Sequence, residues 1–286
     1  MFLIDATPGV WAAHTADRYD YSNIAGQQAL GLGTWEGRLD GVEVLLGAGA
    51  AYYKPQGANG TGDLNLINEL KDRGYEYVRK APELNKATAP ADRLLGLFGG
   101  VAMTFVLDRP LKQGLTEPTL AEMTAKALDI VSRDADGFFL VVEGGAIDWT
   151  AHKEDVAGTL HEVIAFDEAI ASRFEADDGE TLLLVTADHE TGGLALGSEP
   201  DLEFIAGVSA TVDLIWGAIE GGMTIETAIK TYTGIGGVWP ALTARERETI
   251  RSCNDPLGIA DVLNARAGVG WGWSGCEGAH HTGTKV

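Results

Sequence analysis

The sequence predicts an α/β fold, a mostly parallel β-sheet covered by helices, and two observations carry that reading. Short apolar runs alternate along the chain with stretches of helical periodicity. Two of those runs also end abruptly in clusters of acidic and imidazole side chains followed by paired glycines. Open α/β sheets present their ligands beyond the carboxyl ends of strands in this way. With 286 residues, 45% of them hydrophobic, the chain can fill one large core or two smaller ones.

Taken in order, the strands are expected at Phe2–Ile4, Val42–Leu46, Tyr75–Val78, Phe138–Val142 and Thr181–Thr186. The first is an apolar triplet that runs at once into a polar turn, Asp5-Ala-Thr7-Pro8, and the helix Pro8–Arg18 follows. A second helix is expected over Leu64–Arg73, with Asn65 and Asn68 near its start. Pro118 ahead of Leu120-Ala-Glu122-Met123 marks the start of a third, Thr119–Ser132. An amphipathic run from Val156 to Phe174 gives a fourth, and shorter helices follow Ser209. The sequence has no internal repeat and no low-complexity tract. From about residue 197 to 278 it lacks a strong strand and ends in the Gly/Trp-rich run Val269-Gly-Trp-Gly-Trp-Ser-Gly. That segment reads as a small helical cap or insertion, or as ordinary connecting helices.

Charge narrows the function classes. There are 42 acidic residues against 21 basic ones, a formal net charge of −21. Such a field repels nucleic acid and anionic membranes, so neither is expected as a partner. It favours solubility, and some of the acidic side chains are available to bind cations. No stretch approaches the roughly 20 apolar residues of a membrane span. The N-terminus lacks the basic region of a signal peptide and reads like the middle of a protein. Cys253 and Cys276 are the only cysteines and lie outside any metal-type spacing, so they either pair or stay as thiols.

The chemistry gathers at strand ends. Phe138–Val142 delivers Glu143 to its edge. Two glycines follow, and then Asp148 and His152 at i and i+4, which share one face if the segment is helical. A carboxylate and an imidazole so placed can grip one zinc; a surface hydrogen-bonded pair is the plainer reading of such a spacing alone. Thr181–Thr186 leads into Ala187-Asp188-His189-Glu190-Thr-Gly-Gly193. Structural need does not explain two such clusters, and the functional reading prevails. His280-His281-Thr-Gly near the C-terminus reads as a loop by itself, and Arg18 as a solvated helix residue, although its guanidinium fork suits phosphate oxygens. His14, His161 and His280 read as ordinary histidines.

Taken together, these segments resemble the alkaline phosphatase family. The specific part is Val142-Glu-Gly-Gly-Ala-Ile-Asp148 with His152, then Val185-Thr-Ala-Asp-His-Glu-Thr-Gly-Gly193, then His281-Thr-Gly. Asp5-Ala-Thr-Pro with Ala13-His and Arg18, Val44-Leu-Leu-Gly, Leu94-Leu-Gly-Leu-Phe and Leu120-Ala-Glu-Met-Thr also match its pattern. The likeness extends over almost the whole chain and is weakest across residues 200–270. It implies a three-layer α/β/α fold over residues 1–286 and a phosphate-monoester hydrolase with two zinc ions and one magnesium ion. By resemblance, Asp148, His152 and His281 hold the first zinc and Asp188 and His189 the second. Glu143 and Thr7 hold the magnesium, with Asp5 behind them, and Arg18 holds the substrate's phosphate oxygens. Trp149 is a position where family members differ and is expected to tune phosphate binding.

The family's nucleophile lies in an Asp-Ser-Ala type segment N-terminal to all of these motifs, and the chain's serines sit in unrelated contexts. The aspartate that bridges the second zinc and the magnesium is absent as well. The chain is therefore expected to be incomplete at both ends and to turn over little by itself. A non-catalytic metal-binding or interaction remnant, and a related phosphodiesterase or phosphate mutase, are the competing readings. A periplasmic or extracellular site and a homodimer are further expectations from the resemblance.

Overall fold

The computed structural model of the chain describes residues 26, 29–30, 41–55, 64–174, 179–272, 276 and 281–282, except for the side chains of residues 172–174 and 281–282. The chain divides into two compact units. The first comprises Met1–Thr104, Gly114–Gly144 and Ala165–Thr181; the second comprises Phe105–Gln113, Gly145–Ile164 and Leu182–Val286.

The first unit is built on a parallel sheet of three short strands, β1 (Val44–Gly47), β2 (Glu76–Val78) and β3 (Leu94–Leu97), in the order β1-β3-β2. Register places Val44 and Glu76 on either side of Leu94. Side chains alternate across the sheet, as the two-residue period of a strand requires. Leu45, Leu95 and Leu97 enter one apolar cluster with Leu66 and Leu70 of α1 (Leu66–Asp72). Val44, Leu46, Val78 and Leu94 enter another, with Leu84 of α2 (Ala81–Lys86) and Met123, Ala127 and Ile130 of α3 (Leu120–Val131). The unit is thus helix, sheet, helix. Each fully buried leucine contributes about 1.5–3 kcal/mol relative to exposure.

Local chemistry fixes the helix starts. The Asn65 side chain accepts the Asn68 N–H at 3.1 Å. Thr119 and Glu122 form a reciprocal capping box with bonds of 3.1 and 2.7 Å. Gly96 holds the middle of β3 because a Cβ there would come within 2.5 Å of the Phe98 ring and 2.7 Å of Leu46.

Two expectations need correction. Phe138–Val142 and Thr181–Thr186 are not β-strands, since neither run belongs to a ladder. Phe139, Leu182 and Leu184 stand about four-fifths exposed. An apolar run is compatible with a strand, but strand structure is conferred by a neighbouring ladder. Conversely, β3, which was not among the expected strands, is the central one although it carries a glycine, a residue depleted in strands. The expected strands at residues 42–46 and 75–78 and the helices at 64–73, 119–132 and 156–174 form with small shifts of their ends. Phe2–Ile4 and Pro8–Arg18 lie outside the described residues.

The second unit is mainly helical. It holds α4 (Ala146–His152), the first half of α5 (Val156–Phe174), α6 (Leu202–Gly207), α7 (Val212–Glu220), α8 (Ile225–Thr233), α9 (Ala244–Cys253) and α10 (Pro256–Ala267). Its core joins Val156 and Ala157 to Phe204, Ile215, Ile229, Ile250, Ile259 and Leu263. The Asp201, Thr211, Thr224, Thr243 and Asp255 side chains each cap the helix that follows. Cys253 and Cys276 form a disulfide, which settles what the sequence left open. No helix among the described residues is long and apolar enough to cross a membrane.

Candidate metal centre

In the second unit two carboxylate–imidazole pairs meet at one threonine. The segment after Gly144-Gly145 folds into α4, so Asp148 in its first turn and His152 in its last share one face. His152 Nε2 lies 3.4 Å from Asp148 Oδ1. In the other motif, His189 Nε2 lies 3.2 Å from Asp188 Oδ2. Both separations are long for a charge-assisted hydrogen bond, which runs about 2.7–2.9 Å. They match two ligands sharing one tetrahedral zinc with bonds of about 2.0–2.1 Å, whose donor atoms stand about 3.3 Å apart.

Thr191 links the pairs. Its hydroxyl donates to Asp148 Oδ1 at 2.6 Å and lies 3.3 Å from His189 Nδ1. The turn that presents Thr191 is closed by a hydrogen bond from the Gly193 N–H to Glu190 Oε1. Gly192 and Gly193 take φ of 83° and 69°, a left-handed pair that favours glycine at both positions. Glu190 Oε2 is buried and has no hydrogen-bond partner among the described residues, so the turn holds an oxygen acceptor with capacity to spare.

The backbone also brings His281 to this place. Strand β4 (Glu190–Thr191) pairs antiparallel with β7 (His281–Thr282), and Thr191 stands opposite His281. A second short ladder, β5 (Ala195–Leu196) with β6 (Val269–Gly270), returns the chain so that the Gly272 N–H donates to Gly192 O at 2.7 Å. Residues 80 to 90 positions further along the chain are thereby stitched to the Asp188–Gly193 turn.

The described residues thus gather Asp148, His152, Asp188 and His189 as side chains and His281 as backbone. Glu143 lies half-buried in the first unit. Thr7 and Arg18 lie outside the described residues. No group of three or more His, Cys, Asp or Glu side chains among the described residues could by itself hold a metal ion. Each pair instead supplies two donors, and carboxylate with imidazole suits zinc. Thr191 and Glu190 have roles that sequence reasoning missed. Their signal was position alone, inside a motif already singled out for its neighbours.

Comparison with known proteins gives one answer. A family model described as alkaline phosphatase matches residues 2–213. The chain is 30% identical to alkaline phosphatase 4 of Bacillus subtilis, over 98% of this chain and 58% of the relative. It is 32% identical to alkaline phosphatase 3 of the same organism, over 99% of this chain and 60% of the relative. Among solved structures it resembles the cold-active alkaline phosphatase of a psychrophilic Shewanella, with a TM-score of 0.78 and 27% identity over 99% of this chain and 65% of that one. It also resembles the Thermus thermophilus alkaline phosphatase, with a TM-score of 0.79 and 25% identity over 98% and 62%. The chain spans about three fifths of the length of these relatives.

Proposed function

Because the chain belongs to the alkaline phosphatase family, we propose that it supplies the zinc-binding part of a site that hydrolyses phosphate monoesters. Asp148, His152 and His281 hold one zinc, Asp188 and His189 a second, and Glu143 and Thr7 a magnesium. When bound, such ions stabilise the attacking and leaving oxygens of an in-line displacement and lower the pKa of a bound hydroxyl or water. Arg18 grips two phosphate oxygens and offsets charge that grows in the transition state. Thr191 holds the Asp148 carboxylate in one orientation and keeps a hydroxyl oxygen beside the His189 ring. These contacts address the phosphate and leave the alcohol free, so many monoesters are accepted.

The single observation behind this reading is the pair of zinc-like donor separations, 3.4 and 3.2 Å, joined through Thr191. The Cys253–Cys276 disulfide supports a periplasmic or extracellular setting, since such bonds persist in oxidising compartments. Assembly as a homodimer is part of the same proposal. The family's nucleophilic serine and bridging aspartate have no counterpart in the 286 residues. The chain alone therefore turns over aryl phosphates near background and binds zinc weakly.

The test is a zinc titration of the chain against a chromophoric chelator, repeated for Asp148→Asn, His152→Ala and His189→Ala. Saturable binding that weakens in each variant supports the site. Equal binding by all four proteins overturns it, and a robust aryl-phosphatase rate from the chain itself overturns the expectation of low turnover. Where turnover is present, a higher rate on diesters than on monoesters overturns the substrate class.

A further inference from the structure

Helix α4 carries Asp148 and His152 on one face, with 25% and 35% of those side chains exposed. Thr150 lies two residues from each, and so is turned about 200° from both at 3.6 residues per turn. It is 2% exposed. The helix therefore shows its donors outward and is gripped by its back.

That grip is a buried network of hydrogen bonds. The Thr150 hydroxyl shares its proton between the Ala146 and Ile147 carbonyl oxygens, both at 3.0 Å, and accepts the Thr159 hydroxyl of α5 at 3.1 Å. Its backbone oxygen accepts the Asp155 N–H at 3.0 Å. Asp155, itself 2% exposed, then serves two helices at once. Its Oδ1 accepts the Gly158 N–H in the first turn of α5, and its Oδ2 accepts the Val212 N–H at the start of α7, each at 2.9 Å. The positive ends of two helix dipoles offset the cost of burying the charge. Gly158 permits the close approach, because a Cβ there would come within 2.9 Å of Asp155 Oδ2 and 3.0 Å of Thr150 Cγ2.

Capping alone does not call for this arrangement. One oxygen suffices to cap α5, and serine or asparagine would supply it. Only a carboxylate offers both oxygens as acceptors, since an amide would turn its NH₂ group toward one of the two N–H donors. The second oxygen ties the turn that ends α4 to a helix start 57 residues away.

We propose that Asp155 is a positioning residue for the first zinc: with Thr150 and Thr159 it fixes the rotation of α4, and so the direction in which Asp148 and His152 point. The role rests on the zinc reading of those two side chains. A ligand set works only within roughly 0.5 Å and 10–20° of its productive geometry. With seven residues, α4 is too short to hold such an orientation without anchors. Asp188 and His189 are carried by another segment, so loss of the anchor spares their pair.

The experiment is a zinc titration by chelator competition at pH 8, where the Asp155 carboxyl, pushed up to about 6 by burial, is ionised. It uses the full chain in two backgrounds. Asp188→Asn/His189→Ala leaves the first zinc's ligands, and Asp148→Asn/His152→Ala leaves the second's. Asp155→Asn, Thr159→Val and Thr159→Ser are placed in each. Asp155→Asn is expected to lower affinity about tenfold or more in the first background and to leave the second unchanged. Thr159→Val is expected to act in the same direction by a smaller factor, and Thr159→Ser to restore the affinity. Unchanged affinity of Asp155→Asn in the first background overturns the proposal. An equal loss in both backgrounds also overturns it, because the effect would then be a general loss of structure. If Asp155→Asn does not fold, Thr159→Val decides by the same two criteria. A first background that binds no zinc before any further change overturns the zinc reading, and this role with it.

Discussion

Thr191 donates a 2.6 Å hydrogen bond to Asp148 across 43 residues of sequence. The same oxygen lies 3.3 Å from His189 Nδ1. One small hydroxyl thus orients a carboxylate on a helix and touches the imidazole of a separate motif. Residues that hold a metal ligand in place commonly matter 10–100-fold in affinity.

Replacing Thr191 by valine keeps the shape and removes the hydroxyl. Zinc affinity is expected to fall roughly 10- to 100-fold, and Thr191→Ser to recover most of the loss. Chelator competition reads the affinity, and an unchanged Tm without zinc would show that orientation, not folding, was affected.

Glu162 gives the second unit a pH dependence. It is 9% exposed, and burial pushes its carboxyl up to about 7, against the Val106 N–H bond of 2.7 Å and nearby Arg109, which lower it, and with Asp108, which raises it. Burial likewise pushes Asp155 up to about 6, against its bonds from the Gly158 and Val212 N–H groups. Folded values above unfolded ones mean stability that is fully present below about pH 4 and is lost as the pH rises to about 7. In urea without metal, these groups make the chain more stable at pH 5 than at pH 8. Glu162→Gln, which can still accept from Val106, is expected to gain about 1–3 kcal/mol at pH 8 and little at pH 4.

Glu246 works in the opposite direction. Its two oxygens meet Arg266 Nε and Nη2 at 2.7 and 2.9 Å, and Oε2 also caps the Thr243 N–H at 2.7 Å. The Arg266 hydrogen bond, above all, pulls its carboxyl down to about 2 despite some desolvation. A depressed value contributes stability above about pH 4.5 that is lost as the pH falls toward 2. Glu246→Ala is expected to cost about 1–3 kcal/mol at pH 7 through the lost bidentate pair and cap. The difference from the parent should close by about pH 2 in urea titrations.

The Cys253–Cys276 bond closes a separation of 23 residues. The chain-entropy argument gives such a loop about 3 kcal/mol of stabilisation. A Cys253→Ser/Cys276→Ser variant is expected to lose that amount in urea. It should also bind zinc more weakly, because Cys276 tethers the segment that carries His281 into β7. Equal zinc affinity in the two proteins would separate the disulfide from the site.

Much of this was legible in the sequence. The helices at residues 66–72, 120–131 and 156–174 follow from their apolar spacing and their Asn65 and Thr119 starts. The chemical identity of Asp148, His152, Asp188 and His189 was plain from carboxylate and imidazole standing together beyond apolar runs. The parallel α/β class was legible too, because a strand and a helix each carry their own period. The family resemblance read from these same motifs agrees with the family to which the chain belongs.

What the tertiary structure decided was pairing. Leu94-Leu-Gly-Leu became the central strand because β1 and β2 flank it, whereas Thr181–Thr186, richer in strand formers, lies in no ladder. The disulfide, the Thr191–Asp148 bond and the register of Thr191 against His281 each join residues that local sequence cannot relate. The raised carboxyl of Glu162 and the two N–H bonds shared out by Asp155 depend on which helices bury them. Periodicity and side-chain chemistry are properties of neighbours along the chain. Burial, register and the electric surroundings of a group are set by segments that meet only once the chain has folded.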